Sequence, residues 1–120
     1  MAAAKNALPG QLDYLEINVK DLAESKAFYG YLFGWTFLDQ GTEYTCFTDG
    51  RLRGGFQLTR RPLSGGGIVP VLYASDLDGA KQRIQSSGGR VVRDTFFFPG
   101  GRRFHFVDPS GNEIGVWSDH

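Results

Sequence analysis

Two carboxylates lie in stretches that otherwise read as apolar strands. Glu16 interrupts Leu15-Glu16-Ile17-Asn18-Val19, and Glu113 opens Glu113-Ile114-Gly115-Val116-Trp117. A carboxylate facing a cavity on a strand is suited to contact a ligand or to act as a general base. Buried without a partner, it would be costly and would titrate high. The structural alternatives for Glu16, a carboxylate at a wet cavity or one paired with a nearby arginine, stay open. Glu16 and Glu113 brought together would make an acid/base pair or, less readily, a cation site. His105 stands between Phe104 and Phe106, so alternation turns it away from both rings. In a pocket it would be a base near neutral pH, but a surface or helix-facing imidazole is the expected placement. Cys46, in mid-strand, is expected to be a small buried apolar residue. No Ser-His-Asp pattern is evident. Gly65-Gly66-Gly67 precedes a strand with no Lys-Ser or Lys-Thr after it, which speaks against a nucleotide loop.

Around these groups, Asn18 and Gln57 can orient a polar ligand or serve as structural hydrogen-bonding groups. Tyr14, Phe47, Tyr73, Phe104 and Trp117 are candidate walls of a ligand pocket, since aromatic faces suit planar or partly apolar molecules. Phe96-Phe97-Phe98 cannot hide every ring within one strand and is expected at a subunit contact.

The elements that must position these residues come from an internal repeat. A shift of 55 residues lays Asp21 on Asp76, Leu22 on Leu77, Lys26 on Lys81 and Gly34 on Gly89. Alternation over 14–19 predicts a strand with Leu15, Ile17 and Val19 under a helix and Tyr14, Glu16 and Asn18 on the other face. Asp21 caps the helix, with Glu24 three residues on. Leu22, Ala23, Ala27, Phe28, Tyr31 and Leu32 supply its apolar spacing, and Gly34 ends it. Strands over 35–38, 43–48 and 54–59 follow, then a linker over 60–67. The second half repeats the order. A strand over 70–75 leads to a helix capped by Asp76, with Leu77, Ala80 and Ile84 as its stripe. Gly88-Gly89 ends that helix, and strands over 90–93, 104–107 and 112–117 follow. Asp108-Pro109-Ser110-Gly111 is a turn between the last two. The expected fold is α+β, paired βαβββ half-repeats forming a concave mixed sheet. The expected organisation is a flexible tail over 1–9 and one domain over 10–120, with half-repeats at about 11–60 and 68–118.

The segments Glu16-Ile17-Asn18-Val19-Lys20-Asp21-Leu22, Phe28-Tyr29, Leu32-Phe33-Gly34-Trp35 and Asp108-Pro109-Ser110-Gly111-Asn112 closely resemble the vicinal oxygen chelate superfamily. That group contains glyoxalases, bleomycin-resistance proteins and extradiol dioxygenases. The resemblance spans about residues 11 to 118. It implies four concave-face positions that bind one divalent metal in the family's enzymes through His, Glu or Gln. Here those positions carry Tyr14, Gln57, Val69 and Gly115. Val69 and Gly115 lack side-chain donors, and a phenol with a pKa of about 10 is a poor ligand at neutral pH. A stable site usually needs three or four stronger donors. No metal and no cofactor are therefore expected. The resemblance implies a metal-independent small-molecule binder of bleomycin-resistance type, working as a homodimer. The alternatives are a glyoxalase-type lyase or isomerase using Glu16 or Glu113, and a structural or regulatory dimer without ligand.

Bulk properties agree with a small-molecule partner. The 120 residues suffice for one core. Thirteen basic residues balance thirteen acidic ones, so no sustained positive field points to nucleic acid or membrane. A single cysteine allows no intrachain disulfide, and no long apolar run or signal-like start is seen. Cytoplasmic location is the expectation.

Overall fold

A computed structural model describes residue 9, residues 14–60 and residues 68–120. The expected tail and most of the expected linker lie outside the described residues. The chain divides into two compact units, one ending at Arg60 and the other beginning at Arg61.

In the first unit, β1 (Leu15–Val19) leads into α1 (Leu22–Phe33), then β2 (Thr36–Asp39), β3 (Tyr44–Thr48) and β4 (Arg53–Leu58). The sheet order is β1-β4-β3-β2, with β1 parallel to β4 and the other neighbours antiparallel. The second unit repeats this plan. Its elements are β5 (Val71–Tyr73), α2 (Leu77–Ser86), β6 (Arg90–Phe98), β7 (Gly101–Val107) and β8 (Glu113–Ser118). The order is β5-β8-β7-β6, again with the first pair parallel. Two mixed four-stranded sheets with one helix each give the expected α+β, βαβββ architecture.

The helix starts follow from the two aspartates that the repeat superimposes. Asp21 accepts a hydrogen bond from the Glu24 amide at 2.8 Å, and Asp76 accepts one from the Gly79 amide at 3.1 Å. Each satisfies an amide that the first helical turn leaves without a partner. Gly34 ends α1 at φ 73°, a left-handed conformation that costs glycine little.

Alternation places Ile17, Val19, Phe47 and Phe56 on the buried side of the first sheet, where Phe28, Tyr29 and Trp35 complete the core. Tyr29 stacks on Trp35 at 4.6 Å, and Trp35 stacks on Phe47 at 4.5 Å. Tyr31, expected in the helix stripe, is instead exposed, while Ser25, Phe28 and Tyr29 are the buried helix residues. The large aromatic cluster selects that face over the more uniformly apolar one. In the second unit, Leu77, Ala80 and Ile84 are buried as expected, and the sheet contributes Phe104, Phe106, Ile114 and Val116.

One strand differs in kind from its expected form. β6 runs through Phe98 rather than stopping at Arg93, and its pairing with β7 shifts register between Val91 and Arg93 and between Arg93 and Phe96. These irregularities break period-2 alternation, so the alternating pattern in the sequence stops at Arg93 while the strand continues.

Candidate functional site

The face of the first sheet away from α1 carries a cleft of about 680 Å³, a size that accommodates a drug-sized ligand. Strand register decides what lines it. Glu16 pairs with Gly55, Cys46 pairs with Gly55 on the other side, and Thr48 pairs with Arg53. Tyr14, Glu16, Tyr44, Cys46, Thr48 and Arg53 therefore converge on the cleft, with Phe37 and Leu38 among its apolar walls.

The centre of the cleft is a pair of phenols. The Tyr14 and Tyr44 hydroxyls lie 2.6 Å apart. Cys46 Sγ is 3.7 Å from the Tyr14 hydroxyl, and the Arg53 guanidinium stands 5.8 Å from the Tyr14 ring centroid. Tyr44 also hydrogen-bonds to Glu16. A carboxylate can only accept, so Tyr44 is the donor towards Glu16. Burial, together with these bonds, raises the Tyr44 pKa above the ordinary 10.0. Burial likewise raises that of Tyr14. Gly55 makes the arrangement possible: a Cβ there would collide with the Tyr44 hydroxyl and ring and with the Tyr14 hydroxyl. Its neighbour Gly54 clears the opposite face for the Phe47 ring. A glycine pair inside a strand signals such close approach, and this sign of Tyr44 as a site residue was present in the sequence.

The structure brings Tyr14 and Glu16 together as hydrogen-bonding members of one cleft. Asn18 is exposed one pleat further along the same face. Gln57 shares that face, but its amide donates to the Glu43 and Leu58 carbonyls at 3.3 and 3.2 Å, and it is not in the cleft lining. Phe47 borders the cleft, yet its ring is 4 % exposed and packs against Trp35. Cys46 is half-buried in the cleft rather than in the core, because β3 turns Thr45 and Phe47 inward.

The second unit holds the remaining candidates. Phe104 is fully buried among the core side chains and forms no pocket wall. Tyr73 and Trp117 meet edge to face at 5.1 Å, and Phe98 meets Trp117 at 6.1 Å. His105 is neither on the surface nor turned towards the helix. It is 6 % exposed, with Nδ1 2.7 Å from Glu113 Oε2 and Nε2 3.1 Å from Arg103 Nε. Glu113 is thus engaged with an imidazole. The Asp108-Pro109-Ser110-Gly111 turn sets this register. Asp108 Oδ1 accepts from the Ser110 and Asn112 amides at 2.9 and 2.8 Å, and Gly111 adopts φ 98°.

The positions that would ligate a metal in the resembled family do not fit one. In the first unit the Tyr14 hydroxyl is hydrogen-bonded to Tyr44, and Gln57, whose amide NH2 donates to carbonyl oxygens, lies outside the cleft lining. In the second, Val69 has no donor, and a Cβ on Gly115 would come 3.1 Å from Arg103 Nη2. A fixed guanidinium there opposes a second cation. Among the described residues no group of three His, Cys, Asp or Glu side chains could hold a metal.

Known proteins share this architecture. The sequence is 33% identical over 129 residues to the anthracycline biosynthesis protein DauV of Streptomyces sp. strain C5, covering 91% of this chain and 47% of that protein. DnrV of Streptomyces peucetius, also an anthracycline biosynthesis protein, is 32% identical with the same coverage. The chain thus spans about half the length of these curated relatives. The fosfomycin resistance protein FosX of Listeria monocytogenes superposes with a TM-score of 0.79 at 16% identity, over 92% of this chain and 94% of that one. Lactoylglutathione lyase of Agrobacterium tumefaciens superposes with a TM-score of 0.68 at 22% identity, with the same coverage. At these identities the structures attest the fold alone. The family match itself extends over residues 11–116, and with it the chain belongs to the Glyoxalase/Bleomycin resistance protein/Dioxygenase superfamily.

Proposed function

We propose that this chain is a metal-independent binding domain that takes a small polar-aromatic molecule into the cleft of its first unit. The observation that carries the reading is the Tyr14–Tyr44–Glu16 chain at the centre of a cleft of about 680 Å³, where the family's enzymes would present metal ligands. Two phenol faces and Phe37 give stacking surface, and Glu16 with Arg53 gives polar anchoring at opposite charge. Planar polycyclic compounds with a polar edge are the class this lining suits. The naming of DauV and DnrV for anthracycline biosynthesis makes an anthracycline the first probe. Titration calorimetry with that probe and a panel of planar compounds should find saturable binding, weakened about tenfold or more by Glu16→Gln. No binding across the panel, or binding unaffected by both Glu16→Gln and Tyr44→Phe, would reject the reading.

The hydrogen-bonded order Tyr14, Tyr44, Glu16 also favours a second reading, an isomerase or lyase in which Glu16 accepts a proton. Turnover of a bound ligand, abolished by Glu16→Gln with affinity kept, would move the assignment there. We further propose a homodimer, on the large apolar side chains left exposed: Tyr31, Leu38, Ile68 and Phe97. The single free cysteine is compatible with work in the cytoplasm.

A further inference from the structure

The second unit buries a titratable side chain that the cleft reading leaves unused. His105 is 6 % exposed and sits in mid-strand in β7, on the face opposite the buried Phe104 and Phe106. Arg103, His105 and Glu113 form a line there. Arg103 reaches His105 Nε2 from Nε at 3.1 Å and from Nη2 at 2.8 Å, while Nδ1 lies 2.7 Å from Glu113 Oε2. A guanidinium only donates, so Nε2 accepts with its lone pair, and Nδ1 carries the proton given to Glu113. This neutral tautomer is the one protonation state that satisfies both neighbours. A second proton on Nε2 would replace the lone pair by an N–H aimed at two other N–H groups. It would also set an imidazolium against a guanidinium.

The other groups around the ring do not relieve that conflict. β6 presents Arg93 opposite His105, with its guanidinium 3.8 Å from the Phe96 centroid and Phe96 itself 6.1 Å from the imidazole. Arg103 shares the same ring at 5.8 Å. β8 presents Glu113, already bonded to Nδ1, and Gly115, which pairs with His105 and has no side chain. β5 presents Val71, and Tyr73 beyond it donates to Asp119 at 2.7 Å. Asp78 and Lys81 of α2 are engaged in ion pairs with Arg102 and Asp94. Held by the imidazole, Arg103 fills the place over Gly115, where a Cβ would lie 3.1 Å from its Nη2 and 3.4 Å from His105 Nε2. Arg103 is half-buried and Glu113 is exposed, so the guanidinium borders solvent.

We infer that His105 is a proton-operated latch: neutral, it holds Arg103 in place over Gly115, and on taking up a proton it releases the guanidinium to solvent while keeping Glu113. The proton comes from water and stays on Nε2, and no other covalent bond changes. The released form carries one proton more than the latched form, so falling pH favours release and rising pH favours the latch. Imidazole is the side chain suited to such a change between about pH 5 and pH 8. Release vacates the place over Gly115 without any ligand, and the device does not depend on the reading of the first-unit cleft.

The test follows the imidazole nitrogens and Arg103 Nε of the full chain by nitrogen-15 magnetic resonance between about pH 8 and pH 5. His120→Gln leaves a single histidine to observe. At the alkaline end, the expected pattern is a protonated Nδ1 and a bare Nε2. Acidification should protonate Nε2 and, with the same midpoint, move the signals of the Arg103 Nε–H and the Gly115 amide. Arg103→Met should raise that midpoint by about one pH unit, and Glu113→Gln should lower it by about as much. Should Arg103→Met fail to fold, the titration of the chain with Arg103 intact decides alone. An imidazole already doubly protonated at the alkaline end, or one still neutral at the acid end, would overturn the latch. So would protonation that leaves the Arg103 Nε–H signal in place, or a midpoint that Arg103→Met does not raise.

Discussion

At the scale of the residue, glycine decides what the tyrosines can do. Gly55 holds open the space that the Tyr14 and Tyr44 hydroxyls fill. Gly55→Val should push both rings out of place, cost about 1–3 kcal/mol of stability in urea unfolding, and abolish binding in the cleft. The phenols themselves give a pH signature. Their protons are held more tightly in the folded chain than at the ordinary value of 10.0. Stability is therefore intact below pH 10 and declines as the pH rises above it, because the unfolded chain releases those protons first. Spectrophotometric titration of the five tyrosines should show Tyr14 and Tyr44 ionising above the ordinary value, with Tyr44→Phe removing one late step. Tyr14 and Glu16 were legible as candidates because alternation alone fixes the face of a regular strand. Tyr44 was not, since nothing local to β3 marks it; the cue lies across the sheet, in a glycine of β4.

At the scale of the element, capping and turn chemistry were legible, and the register of irregular strands was not. Asp21 and Asp76 begin helices for the same local reason, so Asp21→Ala and Asp76→Ala should each cost about 1 kcal/mol in urea unfolding. Asp108 serves more partners from a buried position, accepting from two amides and from the Asn112 side chain at 3.2 Å. Asp108→Ala should cost more than either cap, roughly 2–3 kcal/mol, since it strands buried amides. It should also loosen Glu113 and His105, visible as changed shifts of the imidazole. The extension of β6 to Phe98 escaped the pattern because two register shifts put Arg93 and Phe96 on one face despite their odd spacing. With it escaped the ring that Arg93 and Arg103 share. His105 was turned to the correct side by alternation, but its partners come from β8 and from two residues back on β7, and no local spacing reveals them.

At the scale of the whole molecule, the repeat foretold the order of elements almost throughout, because the two halves answer the same physical demand: a twisted sheet with one face under one helix. The halves then diverge in chemistry. The first unit offers phenols, a carboxylate and a thiol around a cleft, and the second offers a guanidinium set among aromatic rings. Apolar exposure at Leu38 on edge strand β2 and at Phe97 on edge strand β6 is the molecular-scale feature that calls for a partner. Light scattering after gel filtration should return twice the mass of the chain, and Phe97→Asp should shift the population towards monomer if that ring lies in the contact.

Gly115 constrains the order in which such a chain could change its chemistry. Replacing it by glutamate would place a carboxylate beside Arg103, and the two would close on each other as an ion pair. A single substitution at this position therefore cannot by itself supply a metal ligand. Arg103 would have to go first, and its loss alone would leave His105 and Glu113 without the guanidinium that completes their line.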